Sequence, residues 1–261
     1  MSNSPSLPIS VFIITLNEED RIEMAISSVI DWVDEVIVID SGSTDRTVEL
    51  AEGCCAKVVF NPWPGYGLQK RHGEDLCRND WLLNIDADEV VSQELRDEIT
   101  NIFAKGPQSD IYKVEILDVF AHEEHPKSWA YGYWQYRLYH RSKGRFSEST
   151  VHDTVRPYPD AKIATLQKKM EHHSIRSIQW SVEKMNRYSD MQRDDMIKRG
   201  RHIRPWRLVF EFPVSFLKSY LLRQGFRYGF WGIVIAHNYA YSRFLRVAKL
   251  YEYELLQRAQ K

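Results

Sequence analysis

Two carboxylates one residue apart, Asp86-Ala87-Asp88, follow the apolar run Trp81–Ile85. Acids placed just past a buried strand project from its carboxyl end, the edge where open α/β sheets bind ligands. Spaced i, i+2, they can share one hard cation, and Mg²⁺ typically takes one or two carboxylates plus substrate phosphates. A solvated acidic loop has the same composition; the strand in front of it is what favours a metal. Asp40, in Asp40-Ser41-Gly42-Ser43-Thr44-Asp45, ends a second apolar run. It can accept from a base or a ribose hydroxyl, or close a helix-capping turn. Thr15-Leu16-Asn17-Glu18 can line a nucleotide pocket or simply start a helix. Gln69-Lys70-Arg71 opens a helix after a Pro/Gly loop, where cations suit a diphosphate, though a solvated helix face explains them too. Asp153, after His152, can serve as a general base toward a sugar hydroxyl, or be a surface acid. His172-His173 offers a metal ligand or a phosphate contact, against a purely structural pair.

These side chains need a scaffold. Ile9–Thr15 and Glu35–Asp40 are continuous, β-branched apolar runs and read as buried strands. Between them Asn17 is placed to cap a helix whose first turn carries Glu18, Glu19 and Asp20, with Ile22, Ile26, Val29 and Ile30 at helical spacing. A short helix over Thr47–Glu52, a strand over Lys57–Phe60, a helix over Leu68–Cys77 and a strand over Trp81–Ile85 continue the alternation. Strand–helix alternation predicts a parallel sheet with helices packed on it. Ser92 can cap a helix running to about Ala104, and Lys105-Gly106-Pro107 breaks the chain. Ile111–Val119 and Trp134–His140 look like further strands, and a charged helical pattern runs from Ser177 to about Arg201.

The chain has 261 residues, 43% hydrophobic and 27% charged, which excludes collagen-like and disordered classes. Three cysteines, two of them adjacent, make no disulfide framework or zinc spacing and read as reduced thiols. The N-terminal MSNSPSLPIS lacks the basic and apolar regions of a signal peptide. No Walker A loop, no GxGxxG after the first strand and no GxSxG elbow is present, which weighs against kinases, dinucleotide oxidoreductases and serine hydrolases. The net charge of −1 conceals an asymmetry: residues 1–150 hold 14 Lys+Arg against 26 Asp+Glu, whereas residues 201–261 hold 11 against 3. A basic tail suits an anionic partner. Its longest uncharged stretch, the fifteen residues Tyr228–Ser242, is shorter than the ~20 a spanning helix needs.

In order, ISVFIITLNEEDRIEMAISSV, VDEVIVIDSGSTDRT and WLLNIDADEVVSQEL resemble the inverting family 2 glycosyltransferases. NPWPGYGLQKR, GRFSESTVHDTV, HHSIRS and EKMNRYSD resemble, more narrowly, the lipopolysaccharide inner-core β-1,4-glucosyltransferase branch. The likeness runs from about Ile9 to about Glu252. It implies an α/β GT-A fold, a Rossmann-like nucleotide-binding sheet with an acceptor half and a helical, basic C-terminal region. By the same resemblance, residues 1–105 would bind the nucleotide sugar, 106–176 the acceptor, and 177–261 a membrane. It implies a nucleotide-diphosphate sugar donor, UDP-glucose, a heptose of the lipopolysaccharide core as acceptor, and Mg²⁺ or Mn²⁺. Thr15, Asn17, Glu18 and Asp40 would line the nucleoside pocket, and Lys70 and Arg71 would lie near the donor. Asp86 would meet ribose or metal, Asp88 would hold the ion, His172 would approach diphosphate or metal, and Asp153 would be the base. The family more often has Glu at that last position, and its His-Tyr-Ser is His172-His173-Ser174 here.

On this reading the tail, with Arg204, Arg207, Lys218 and Arg223 among Trp206, Phe210 and Tyr220, attaches to the anionic cytoplasmic face of the inner membrane without spanning it. No nucleic-acid partner is expected. A nucleotidyltransferase also pairs such a sheet with metal-binding acids, but usually has a basic, Gly-rich loop where this chain has TLNEED. A non-enzymatic module binding RNA or acidic lipid explains the tail and leaves the acids at three strand ends unexplained.

Overall fold

The computed structural model describes residues 6–120, 123–127, 132–149 and 153–259. They fall into two compact units, Met1–Pro126 with Gly132–Ser174, and Lys127–Tyr131 with Ile175–Lys261.

The first unit is built on one eight-stranded sheet. Its strands are β1 (Leu7–Thr15), β2 (Val33–Asp40), β3 (Lys57–Phe60), β4 (Trp81–Asn84), β5 (Glu89–Val91), β6 (Ile111–Asp118), β7 (Gly132–His140) and β10 (Ile163–His172). Their spatial order is β3-β2-β1-β4-β7-β6-β10-β5. Strands β8 (Gly144–Phe146) and β9 (Val155–Pro157) form a separate antiparallel ribbon. β1 runs parallel to β2 and β4, β2 to β3, and β6 to β10, while β7 is antiparallel to both β4 and β6. The carboxyl ends of β1, β2, β4, β6 and β10 therefore share one edge.

The apolar runs make the central strands because both faces are covered. Val11 and Ile13 pack with Ile22 and Ile26 of α1 (Ile22–Ser27) and Leu95 and Ile99 of α4 (Gln93–Ala104). Phe12 and Ile14 join Ile37, Tyr139 and Phe146 in a second cluster. Two-sided burial is what parallel strands require. Ser92 caps α4, its Oγ accepting the Leu95 N–H at 3.2 Å. Helix α2 (Thr47–Gly53) precedes β3, and α3 (Tyr66–Leu76) lies so close to the sheet that a Cβ on Gly73 would stand 2.7 Å from Phe12.

Asn17 does not cap a helix. Helix α1 starts at Ile22, and Asn17 has φ 56°, a left-handed value outside the extended backbone an N-cap adopts. Its side-chain oxygen instead accepts the Thr44 N–H at 2.8 Å, tying the end of β1 to the turn after β2.

The second unit consists of α5 (Ile178–Lys198), α6 (Trp206–Leu217) and α7 (Phe230–Ala259). A π-helical turn at Lys218–Leu222 and a 3-10 turn at Gly225–Tyr228 join α6 to α7. Ser177 caps α5, accepting the Trp180 N–H at 3.0 Å, and Met196, Ile203, Val247 and Leu250 form a small core. Among the described residues no helix is long and apolar enough to cross a membrane.

Candidate active site

Past β4 the chain turns through Asp86 and Asp88 into β5, and the two carboxylates take different partners. Asp86 Oδ1 lies 2.7 Å from Lys70 Nζ, and its Oδ2 lies 3.0 Å from Arg137 Nη2. Arg137 also pairs with Glu89 and donates from Nη1 to Asn84 Oδ1 at 2.6 Å. Lys70 Nζ reaches Asp153 Oδ2 at 2.6 Å, and its charge sits 5.2 Å from the Phe146 ring centroid. Lys70, Arg137 and Glu89 are buried, so charge alternates along Glu89, Arg137, Asp86, Lys70 and Asp153. Buried charges persist only when paired in this way. Burial works to raise the Asp86 carboxyl, but the charges of Arg137 and Lys70 overcome it and hold it well below the usual carboxylate range. Burial raises Glu89, which shares Arg137 with Asp86.

A glycine lets α3 come close to the chain that follows β8. A Cβ on Gly67, in the first turn of α3, would stand 2.1 Å from the Ser147 carbonyl oxygen, and the Gly67 N–H donates to Ser149 O at 3.0 Å. This contact draws α3 against the segment that leads to Asp153.

Asp88 faces the other way. Its Oδ2 is 3.4 Å from His172 Nε2 and 3.3 Å from Arg21 Nη1. His172 Nδ1 lies 2.8 Å from Asp118 Oδ1, and the two residues are register partners at the ends of β10 and β6. The Asp88 carbonyl accepts the His173 N–H at 2.7 Å, which fixes the β4–β5 turn against the end of β10. Burial would lower the His172 imidazolium, but hydrogen bonds to Asp118 and Asp88 outweigh it and raise it to about 10. Asp88 is held low, burial being outweighed by His172 and Arg21.

Asp88 and His172 are the residues that could hold a divalent ion, His172 only once it gives up the proton that pairs it with Asp88 and Asp118. The 3.4 Å separation of Asp88 and His172 is wider than the roughly 3 Å between neighbouring ligands of an octahedral Mg²⁺, whose bonds run about 2.0–2.1 Å, so the pair would have to close on the ion. Asp118 orients the other ring nitrogen, as carboxylates do behind metal-ligating histidines. The remaining ligands would be diphosphate oxygens and water: among the described residues no three His, Cys, Asp or Glu are grouped to hold a metal alone.

At the ends of β1 and β2, Thr15 is the register partner of Asp40. Asp40 Oδ2 accepts the N–H groups of Gly42 and Ser43 at 2.9 and 3.0 Å, so it closes its own turn. Among the described residues, Thr15 Oγ1 is buried there with no hydrogen-bond partner. Glu18 accepts from Arg21 Nε at 2.9 Å, and Arg71 pairs with Glu148.

Residues 10–158, more than half of the chain, match the profile of glycosyl transferase family 2. The chain belongs to that family. A protein of Rickettsia bellii described as an uncharacterized glycosyltransferase is 44% identical over 98% of this chain and 90% of its own length. The lipopolysaccharide core biosynthesis glycosyltransferase LpsC of Rhizobium meliloti is 30% identical over 97% of this chain and 95% of its own. Among solved structures, glucosyl-3-phosphoglycerate synthase of Mycobacterium tuberculosis overlaps 44% of each chain at 29% identity, with a TM-score of 0.35, too loose to carry a fold or a ligand. This family 2 glycosyltransferase has the GT-A fold anticipated from its motifs, and its largely parallel sheet agrees with that. Family membership makes it a transferase and removes the nucleotidyltransferase and non-enzymatic readings.

In this glycosyltransferase Asp86, Asp88, Lys70, Asp153 and His172 gather beyond one sheet edge, while Thr15, Asn17, Glu18 and Asp40 lie at the neighbouring strand ends. Asp86 and Asp88 do not converge on a common point, because Arg137 and Lys70 claim the first and His172 and Arg21 the second. Lys70 is no part of a solvated helix face: it is fully buried. His173 turns to Glu171, its Nε2 3.4 Å from the carboxylate. His152 lies outside the described residues. Sequence reading overlooked Arg137, Glu89, Arg21 and Asp118. Arg137 carried a signal, a cation within the apolar alternation of Trp134–His140, where a charge needs an acid to face.

Proposed function

We propose that this glycosyltransferase moves glucose from UDP-glucose onto a heptose of the lipopolysaccharide inner core by a single inverting displacement. The observation that carries the reading is the meeting of the Asp88–His172 and Lys70–Asp153 pairs at one sheet edge of a family 2 chain. The likeness to LpsC, named for lipopolysaccharide core biosynthesis, supports the acceptor class.

Asp153 is the base. It takes the proton of the attacking heptose hydroxyl as that oxygen bonds to the anomeric carbon and the bond to the diphosphate breaks. Lys70 holds the Asp153 carboxylate in place through one oxygen. Asp88 and His172 would hold Mg²⁺ or Mn²⁺ at the diphosphate, where such an ion would supply positive charge toward the leaving group. Arg137 and Lys70 fix Asp86 at the ribose end of the donor, and Arg71 lies near the diphosphate. Thr15, Asn17, Glu18 and Asp40 line the nucleoside pocket, where the unsatisfied Thr15 hydroxyl has a hydrogen bond to offer. Residues 1–105 serve the donor and 106–176 the acceptor. Residues 177–261 attach to the anionic cytoplasmic face of the inner membrane.

The test is transfer of labelled glucose from UDP-glucose to heptose-terminated core lipopolysaccharide with Mn²⁺. Label in the lipopolysaccharide, β-linked, supports the proposal. Transfer of another sugar in its place overturns the donor, and no transfer with an enzyme that binds UDP overturns the acceptor.

A further inference from the structure

Where α6 meets the first half of α7, the usual sorting of large and small residues is inverted. The residues buried where α6, α7 and their joining turns meet are small: Ser215, Ser219, Gly225, Gly232, Ala236 and Ala240. The two glycines pack backbone to backbone, since a Cβ on Gly232 would stand 1.8 Å from the Gly225 carbonyl oxygen. The large apolar side chains point outward. Val209 is 67% exposed, Val214 60%, Leu217 52%, Leu222 79% and Phe230 89%. In water the large groups belong inside. Small residues between helices with bulky apolar ones outside is the pattern of helices surrounded by hydrocarbon.

Charge narrows the identity of that hydrocarbon. No acidic residue occurs between Glu211 and Glu252, while Lys218, Arg223 and Arg227 flank the exposed apolar groups. A second copy of the chain seated on this face by two-fold symmetry would bring those cations together. Headgroup phosphates would neutralise them. No described helix can cross a bilayer, which leaves an in-plane arrangement.

We infer that α6 and the turn joining it to α7 insert into a single anionic leaflet. Val209, Val214, Leu217, Leu222 and Phe230 enter the acyl boundary, and Lys218, Arg223 and Arg227 stay at the phosphates. The inference rests on the proposed membrane attachment and adds that apolar insertion, beyond charge, holds it.

Flotation of the full chain with phosphatidylcholine vesicles, with and without phosphatidylglycerol, at low salt and in 1 M NaCl, tests this. The wild type is expected to float with the anionic vesicles and to remain partly bound in 1 M NaCl. Leu222→Ser with Phe230→Ser should lower the bound-to-free ratio about tenfold or more at both salt levels. Arg223→Gln with Arg227→Gln should weaken binding chiefly at low salt. Both variants change exposed residues outside the candidate active site, so melting temperature and UDP binding should match the wild type. Complete release in 1 M NaCl, with the serine variant binding as well as the wild type, overturns insertion and leaves electrostatic attachment standing. No flotation with any vesicle overturns both. A wild-type dimer that the serine variant converts to monomer, without flotation, assigns the face to a second copy instead. Absence of UDP binding by the wild type would strike the proposed UDP-glucose donor and leave the membrane inference untouched.

Discussion

Lys70 Nζ stands 2.6 Å from the Asp153 carboxylate, in a lysine with no exposure to solvent. The same ammonium group is 2.7 Å from Asp86, so one buried cation joins the β4–β5 turn to the segment leading into β9. Removing it strands the Asp153 carboxylate and leaves Asp86 to Arg137 alone. Because both carboxylates are about a third exposed, the cost falls below that of a fully buried pair. Lys70→Met should lose about 2–3 kcal/mol in urea unfolding. A change under about 0.5 kcal/mol, the size of an ordinary surface substitution, would mean the bridge contributes nothing to folding.

Asp153→Asn should bind UDP-glucose as the wild type does and transfer sugar ~10²–10⁴-fold more slowly, the usual contribution of a positioned base. Donor binding is read by calorimetry and transfer in a single turnover. Transfer at the wild-type rate would remove Asp153 from the role.

Gly67→Ala tests the contact that brings α3 to the Asp153 segment. The new Cβ meets a backbone oxygen at 2.1 Å, so the backbone must move. A loss of about 1–3 kcal/mol is expected, as in other overpacked sites, together with slower transfer. Unchanged stability and rate would show that the two segments separate freely.

The thiols should divide by burial. Burial pushes the Cys77 thiol up to about 12, and Cys77 is 4% exposed, whereas Cys55 is exposed. With its pKa raised, Cys77 stays a protonated, unreactive thiol at pH 8. Iodoacetamide at pH 8 should label Cys55 in the native protein and Cys77 only after unfolding. Prompt native labelling of Cys77 would show that the packing of α3 on the sheet opens readily.

Local patterns made much of the scaffold legible. The apolar runs of β1 and β2, the Ser92 cap and the acids after β4 announce themselves over a few residues. β5 has three residues, too few for a period, and β10 reads IATLQKKMEH, with polar positions that hide a strand paired on both sides. Pairing across space was not legible either. Arg137 is 51 residues from Asp86, and Lys70 is 83 from Asp153, separations at which spacing says nothing of contact. Lys70 in particular looks like any cation near a helix start until burial shows that it must have partners. Asp118 and His172 become a pair only through the parallel register of β6 and β10.

The most direct measurement is the melting temperature of the full chain with UDP and with UDP-glucose, each with Mn²⁺ and with EDTA, in the wild type and in Asp88→Ala. A ligand that binds only the folded state raises the melting temperature by mass action. The account predicts a rise with both nucleotides that needs Mn²⁺ and disappears in Asp88→Ala. No rise in the wild type, or an equal rise in EDTA and in Asp88→Ala, would contradict a metal-assisted nucleotide-sugar site at Asp88 and His172.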